Sequence, residues 1–249
     1  MKTVVSETSK VVILTGASSG IGEATARHLS RKGHHLFIGA RRIEKLTALA
    51  TELRARGGNV DAMAIDVTRP EDLQRIAARA LEKHGRIDAL INNAGVMPLS
   101  PLAALKVEEW NRMLDVNVRG VLHGIAAVLP IMQEQGYGHI INIASTGAYT
   151  VSPTAAVYCA SKFAVRAISD GLRQETDAIR VTLVSPGVVE SELADHITDE
   201  TARAAMREFR RIALPQEPVA QAIAYAIEQP AGVDISELIV RPVASPHYP

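Results

Sequence analysis

Short apolar runs, each ending in a turn and followed by a helical pattern, recur along the whole of this sequence. Val11-Val12-Ile13-Leu14 is the first, and a Gly-rich turn closes it. Residues 35–39, 59–65, 89–91, 139–143, 181–184 and 237–240 have the same strand character. Helical spacing fills the intervals at 23–32, 43–56, 70–84, 107–135, 157–178 and 218–228, with a polar, helix-prone stretch at 190–211. Pro70 at the start of one helix and Gly85 just past its end are the usual punctuation. Strands that are apolar throughout are covered on both faces, which is the mark of a parallel sheet between helical layers. Right-handed crossovers turn such repeats into a doubly wound α/β sheet. No linker, repeat or low-complexity segment divides the 249 residues, and 47% hydrophobic content supplies one sizeable core. A single domain over 1–249 is expected, with 190–215 as an insertion over the substrate.

In such a sheet ligands bind at the carboxyl ends of the strands. Thr15-Gly16-Ala17-Ser18-Ser19-Gly20-Ile21-Gly22 follows the first strand and opens the first helix. Glycines allow a tight turn and close approach to a pyrophosphate, and the helix N-terminus offers free N–H groups and positive potential. A turn that merely caps a helix is the other reading, which the strand–turn–helix context disfavours. The spacing is G-x-x-x-G-x-G and lacks the lysine of a P-loop, which argues against nucleotide hydrolysis. After the second strand the turn reads Gly39-Ala40-Arg41-Arg42. A carboxylate there would bind the 2′-hydroxyl of NAD, whereas arginine pairs with a 2′-phosphate. Arg41 and Arg42 thus point to NADP(H) over NAD(H), with Ser18 and Ser19 adding hydroxyl contacts. The alternative is two solvated arginines at a helix start, where positive charge is mildly unfavourable. Asp66, followed by Val67, is a candidate partner for the adenine amino group, or a cap for the next helix. Asn93-Ala94-Gly95 suits close approach to the adenosine ribose, and Pro186-Gly187-Val188-Val189 suits the nicotinamide.

Tyr158 and Lys162 are four residues apart on a predicted helix and share a face. A phenol with a pKa near 10 is a poor proton shuttle at neutral pH, and a nearby ammonium should lower it. Ser145, one loop upstream, can hold a carbonyl oxygen in front of the phenol. The set suits proton transfer during carbonyl/alcohol interconversion.

Thr15 to Gly22, Asn92 to Gly95, Asn117, Ser145, the Tyr158/Lys162 pair and Pro186-Gly187 together resemble the short-chain dehydrogenase/reductase family. The resemblance implies a Rossmann fold with about seven parallel strands, an NAD(P) cofactor, and a homotetramer or homodimer. By the same resemblance Tyr158 is the general acid in reduction and base in oxidation. Lys162 holds the nicotinamide ribose and lowers the tyrosine pKa, Ser145 orients the substrate oxygen, and Asn117 holds a water in a proton relay. Ser191 stands where a threonine commonly touches the cofactor, and Ser19 where many members carry a basic residue. The ending, residues 235–242, resembles an NADP-dependent branch acting on small ketones, hydroxy acids or serine-like alcohols.

Met97, Ser145, Thr146, Tyr149, Tyr158, Val189 and Leu193 are the expected substrate pocket, joined by the insertion. No arginine adjoins Ser145 or Tyr158 in sequence, which favours an uncharged, moderately hydrophobic ketone or aldehyde. If one of Arg203, Arg207, Arg210 or Arg211 folds inward, a 3-hydroxy acid or serine-type alcohol becomes the better reading. A non-catalytic NADP-sensing protein is the rival of another class. Zero net formal charge gives no reason to expect nucleic acid or an anionic membrane as partner. Residues 1–10 have no apolar core of a signal peptide, and no consecutive apolar run reaches membrane-spanning length. One cysteine suggests a reducing, cytoplasmic setting. The histidines lack the clustering of a metal site.

Overall fold

A computed structural model describes residues 9–245, so the signal-peptide question falls mostly outside the described chain. The elements follow in order. β1 (Val11–Thr15), α1 (Gly20–Arg31), β2 (His35–Ala40), α2 (Ile43–Ala55), β3 (Asn59–Ala64), α3 (Pro70–His84) and β4 (Ala89–Asn92) make the first half. α4 (Val107–Leu114), α5 (Gly120–Gln135), β5 (Gly138–Ile143), α6 (Ala156–Gln174), β6 (Ile179–Pro186), α7 (Glu200–Phe209), α8 (Glu217–Glu228) and β7 (Glu237–Val240) complete it. The seven strands form one parallel sheet in the order β3-β2-β1-β4-β5-β6-β7. The order reverses between β1 and β4, and the crevice at that reversal is where a doubly wound sheet takes its ligand.

Alternation along the strands splits the core into two layers. Ile13, Phe37, Leu90, Ile140 and Val181 face α3, α5 and α6, where Ile76, Val121, Ile125 and Val165 meet them. Leu14, Leu36, Ile38, Ile91 and Ile141 face the other way, against Leu29 of α1, Leu46 and Leu49 of α2, and Ile223 of α8. Each fully buried side chain of this kind contributes roughly 1.5–3 kcal/mol relative to exposure, which fixes the helices on the sheet. A buried polar ladder crosses the middle: Asn92 Nδ2 donates to Asn142 Oδ1 and Asn142 Nδ2 to Ser169 Oγ, both at 2.9 Å. Four of the described histidines make contacts within the fold. His139 Nε2 meets Thr182 Oγ1 at 2.7 Å, His123 Nδ1 meets the Val67 carbonyl at 2.9 Å, and His35 stacks on His84.

Two boundaries differ from the sequence reading for local reasons. The first helix starts at Gly20, not at 23, because Gly20 turns the chain at a φ of +56° directly into α1. α6 stops at Gln174 rather than 178: Thr176 Oγ1 accepts from the Ala178 and Ile179 N–H groups and turns the chain into β6. The stretch 107–135 is one continuous helix with a π-helical turn, Asp115–Arg119, between α4 and α5. By length and composition this 29-residue helix could cross a membrane, contrary to the count of consecutive apolar residues, which its scattered polar positions interrupt. Its Val121, Ile125, Val128 and Met132 cover the sheet.

Candidate active site

The Gly-rich turn is held in place from β4. Asn93 Nδ2 donates to the Thr15 and Gly16 carbonyls at 3.0 and 3.2 Å, and Thr15 Oγ1 accepts from the Asn93 and Ala94 N–H groups at 3.1 Å. The fit leaves no room for side chains. A Cβ on Gly16, whose φ is +70°, would lie 2.8 Å from Ala94 Cα, and one on Gly22 would lie 2.3 Å from the Gly16 carbonyl oxygen. The bare turn and the N-terminus of α1 therefore form a backbone cradle of the kind that accepts a pyrophosphate. The amide of Asn93, expected against a ribose, is used inside the cradle instead.

One cleft of about 1030 Å³ runs from this cradle across the strand ends. Every candidate cofactor residue lines it: Gly16, Ser18, Ser19, Gly20, Ile21, Gly22, Arg41, Arg42, Asp66, Val67, Asn93, Ala94, Gly95, Tyr158, Lys162, Pro186, Gly187, Val188, Val189 and Ser191. At one end Arg42 donates to Ser18 Oγ at 3.0 Å and to Ser19 Oγ at 2.8 Å. Asp66 does not cap α3. Its Oδ1 accepts from Thr68 N and Oγ1, and the residue preceding α3 is Arg69.

At the other end stand Ser145, Tyr158 and Lys162. Ser145 closes β5, and its Oγ accepts from Gly147 N at 3.1 Å, which leaves the hydroxyl proton for the Tyr158 oxygen. Lys162 lies one turn from Tyr158 on α6, its Nζ 5.8 Å from the ring centroid and donating to the Ile143 carbonyl at 2.9 Å. Burial decides both ionisations. It pushes the phenol up to about 12 against the opposing Ser145 hydrogen bond, and pulls the Lys162 ammonium down to about 8. The lowered phenol expected from the ammonium alone is therefore not found: the apolar surroundings, invisible in the spacing, outweigh it.

Asn117 is 1% exposed and off the cleft wall. Its Oδ1 accepts from Val96 N at 2.8 Å, and its Nδ2 donates to the Val96 carbonyl at 2.9 Å and Ser161 Oγ at 3.1 Å. The side chain thus pins the loop after β4 to α6. Tyr149 leaves the expected pocket. Its hydroxyl pairs with Ser185 Oγ at 3.0 Å and its ring takes the Arg166 guanidinium at 4.3 Å.

Residues 190–215 fold as a 3₁₀ turn, Glu192–His196, then α7 and a second turn, Arg210–Ile212. The base is sewn to the sheet by Glu190 N to Leu214 O at 2.9 Å and Leu214 N to Val188 O at 3.0 Å. Thr198 hydrogen-bonds Lys106 and donates to Glu109 Oε1 at 2.6 Å across the cleft mouth. Inside, Ala194, Ile197 and Ala202 pack with Leu99, Ala155 and Cys159, against Met97, Tyr158 and Met206. Met97, Thr146, Val189 and Leu193 line the cleft as expected. Leu99 and Ala155 line it too and were missed, and Met206 and Phe209 of the expected insertion join them without having been singled out. Their signal was present in part: Ala202, Ala205, Met206 and Phe209 recur at helical spacing among the charges. Cys159 is 2% exposed and borders the cleft. Arg112 and, from the insertion, Arg210 line the cleft as well. Arg210 is engaged by the Ser191 carbonyl at 2.9 Å and Asp195 Oδ1 at 3.5 Å.

The depressed Lys162 pKa has a stability consequence. Between about pH 8 and the ordinary lysine value the unfolded chain binds more protons than the folded one, so stability rises with pH in that window. Below it the folded protein carries a buried charge at a cost. Lys162→Met is expected to raise stability at neutral pH by about 1–3 kcal/mol and to abolish that rise. Thermal melts of both proteins at neutral and alkaline pH check this; a variant no more stable than the parent at neutral pH would refute it.

The family model for short chain dehydrogenases matches residues 10–202. An uncharacterised oxidoreductase of Staphylococcus saprophyticus is 47% identical over 237 residues, covering 94% of this chain and 96% of the relative. Among solved structures, the alcohol dehydrogenase of the archaeon Thermococcus sibiricus, complexed with 5-hydroxy-NADP, superposes with a TM-score of 0.86 at 30% identity, covering 96% of this chain and 99% of that one. The closed form of a serine dehydrogenase complexed with NADP+ gives 0.87 at 33%, covering 95% and 96%. A Burkholderia phymatum short chain dehydrogenase/reductase in complex with NAD gives 0.83 at 30%, covering 93% and 88%. With the seven-stranded Rossmann sheet and the cleft at its switch point, the matches make this chain an oxidoreductase that belongs to the short-chain dehydrogenase/reductase family.

Proposed function

We propose that this protein is an NADP(H)-dependent oxidoreductase interconverting an uncharged, moderately hydrophobic ketone or aldehyde and its alcohol. The observation that carries the reading is the single cleft joining the Arg42–Ser18–Ser19 donor set, the side-chain-free glycine cradle and the Ser145/Tyr158/Lys162 group. The cradle and the donors fit a dinucleotide with an added phosphate, and NADP-bound structural neighbours support it, although one neighbour holds NAD. When bound, the nicotinamide supplies or accepts the hydride. Ser145 orients the substrate oxygen and, with Tyr158, stabilises the negative charge that grows there. Tyr158 is protonated at neutral pH, as any phenol with a pKa near 10 is, and burial pushes it further up, to about 12; it is ready to donate to an alkoxide. Lys162 holds positive charge one helical turn away and favours the phenolate in the oxidative direction. Asn117 acts through Val96 and Ser161, as a positioning residue.

The apolar cap of Leu99, Ala155, Cys159, Ala202 and Met206 favours an uncharged substrate and serves as a lid that excludes water. A hydroxy acid or serine-type alcohol is the second reading, favoured by Arg210 on the cleft wall. A homotetramer or homodimer, formed through exposed Leu114, Leu122 and Phe163, belongs to the proposal, as does a cytoplasmic setting for the lone buried thiol. The test is the absorbance of reduced nicotinamide, with NADPH against aryl and aliphatic ketones and with NADP+ against hydroxy acids. Turnover of uncharged carbonyls is the expected result. Turnover of hydroxy acids alone would move the assignment to the second reading, and tight NADPH binding without any turnover would point to a sensor.

A further inference from the structure

The lid brings an anion of its own to the place where the extra cofactor phosphate is expected. Glu192 opens the lid's first 3₁₀ turn, directly after Ser191. Its Oε2 lies 2.6 Å from Arg42 Nη1 and its Oε1 lies 2.8 Å from Lys45 Nζ. The same guanidinium donates from Nη2 to Ser18 and Ser19, so the two hydroxyls and the carboxylate share one arginine. Two cations and two hydroxyls are the donors a phosphate monoester uses, and here a carboxylate of the chain itself occupies the cationic side. Lys45 was not singled out in the sequence. It enters because α2 turns it to the same side as Arg42, three residues earlier. The Lys45 and Arg42 hydrogen bonds hold the Glu192 carboxyl down to about 2, so it stays ionised at any ordinary assay pH.

We propose that Glu192 is a specificity-determining residue that competes with the cofactor 2′-phosphate for Arg42 and Lys45 and so restrains the preference for NADP(H) over NAD(H). The inference rests on the reading of Arg42 as the phosphate partner given above. A phosphate seated on Ser18 and Ser19 puts like charge beside the carboxylate, and either the Arg42–Glu192 pair opens or the repulsion is borne. A 2′-hydroxyl carries no charge and leaves the pair intact. Glu192 therefore selects against the charged cofactor only, which distinguishes it from a residue that merely shapes the lid. Once Glu192 is displaced, Lys45 becomes a second partner for the phosphate.

Calorimetric titration of NADP+ and NAD+ into the parent protein, Glu192→Gln and Arg42→Ala tests this. The pair is part-exposed, with 43% and 41% of the two side chains accessible, so a moderate effect is expected and the substitution leaves the fold intact. Glu192→Gln should tighten NADP+ by about threefold to tenfold, with the NAD+ affinity unchanged. Arg42→Ala should weaken NADP+ and spare NAD+. If Arg42→Ala leaves NADP+ binding unchanged, the phosphate reading fails and the competition falls with it. If Arg42→Ala weakens NADP+ while Glu192→Gln leaves it unchanged or weaker, the competition alone is overturned. Equal tightening of both cofactors would also overturn it, since that marks a general effect of freeing the lid.

Discussion

Replacing Tyr158 by phenylalanine is expected to lower kcat by about 10²- to 10⁴-fold, the usual contribution of a positioned general acid. The effect should lie in the chemical step. The Tyr158 ring packs against the cap of Leu99, Ala155 and Cys159, and phenylalanine keeps that surface. Lys162 keeps its bond to the Ile143 carbonyl, so the wall toward the cofactor is undisturbed. NADP+ affinity should therefore change by less than about twofold, a few tenths of a kcal/mol. Steady-state kinetics with a ketone substrate, read beside cofactor titration, separates the two quantities. A variant retaining a tenth or more of the parent kcat would remove Tyr158 from the proton-transfer role. Loss of both activity and cofactor binding would show that the hydroxyl supports the cleft itself.

Gly22→Ala should damage the cofactor end as strongly. The added methyl would sit 2.3 Å from the Gly16 carbonyl oxygen and 2.6 Å from Asn93 Nδ2. Neither neighbour is the free end of a flexible side chain, since Asn93 is tied to the Thr15 and Gly16 carbonyls. The turn must shift away from β4, and overpacking of this kind costs about 1–3 kcal/mol. The shift also breaks the cradle, so NADP+ should bind about tenfold or more weakly. Thermal unfolding and titration check the two parts. Parent-like affinity in this variant would show that the cradle does not carry the pyrophosphate.

The sheet was legible because its strands are apolar on consecutive residues and the helices between them are amphipathic. Only the ends were misplaced, at Gly20, whose φ of +56° turns the loop directly into α1, and at Thr176, whose hydroxyl stops α6 early. The cleft was legible for a different reason. In a parallel sheet every strand end points to one edge, so residues after Leu14, Ala40, Ile65, Asn92, Ile143 and Val184 had to converge. Tyr149 was misplaced because side-chain direction depends on partners that sequence spacing does not show, here Ser185 and Arg166; the Val96 and Ser161 partners of Asn117 were hidden for the same reason. The apolar stripe of α7 was not singled out because charges dominate the composition of that stretch.

By itself the sequence determined the doubly wound sheet, the glycine turn, and the presence of a phenol and an ammonium one helical turn apart. Periodicity and local geometry are sufficient for each of these. Tertiary structure alone decided the ionisation of that pair, since burial raises Tyr158 and lowers Lys162, and desolvation is a property of neighbours, not of spacing. It alone also brought Glu192 to Arg42 across 150 residues of chain, where charge and distance together set what the cleft can select.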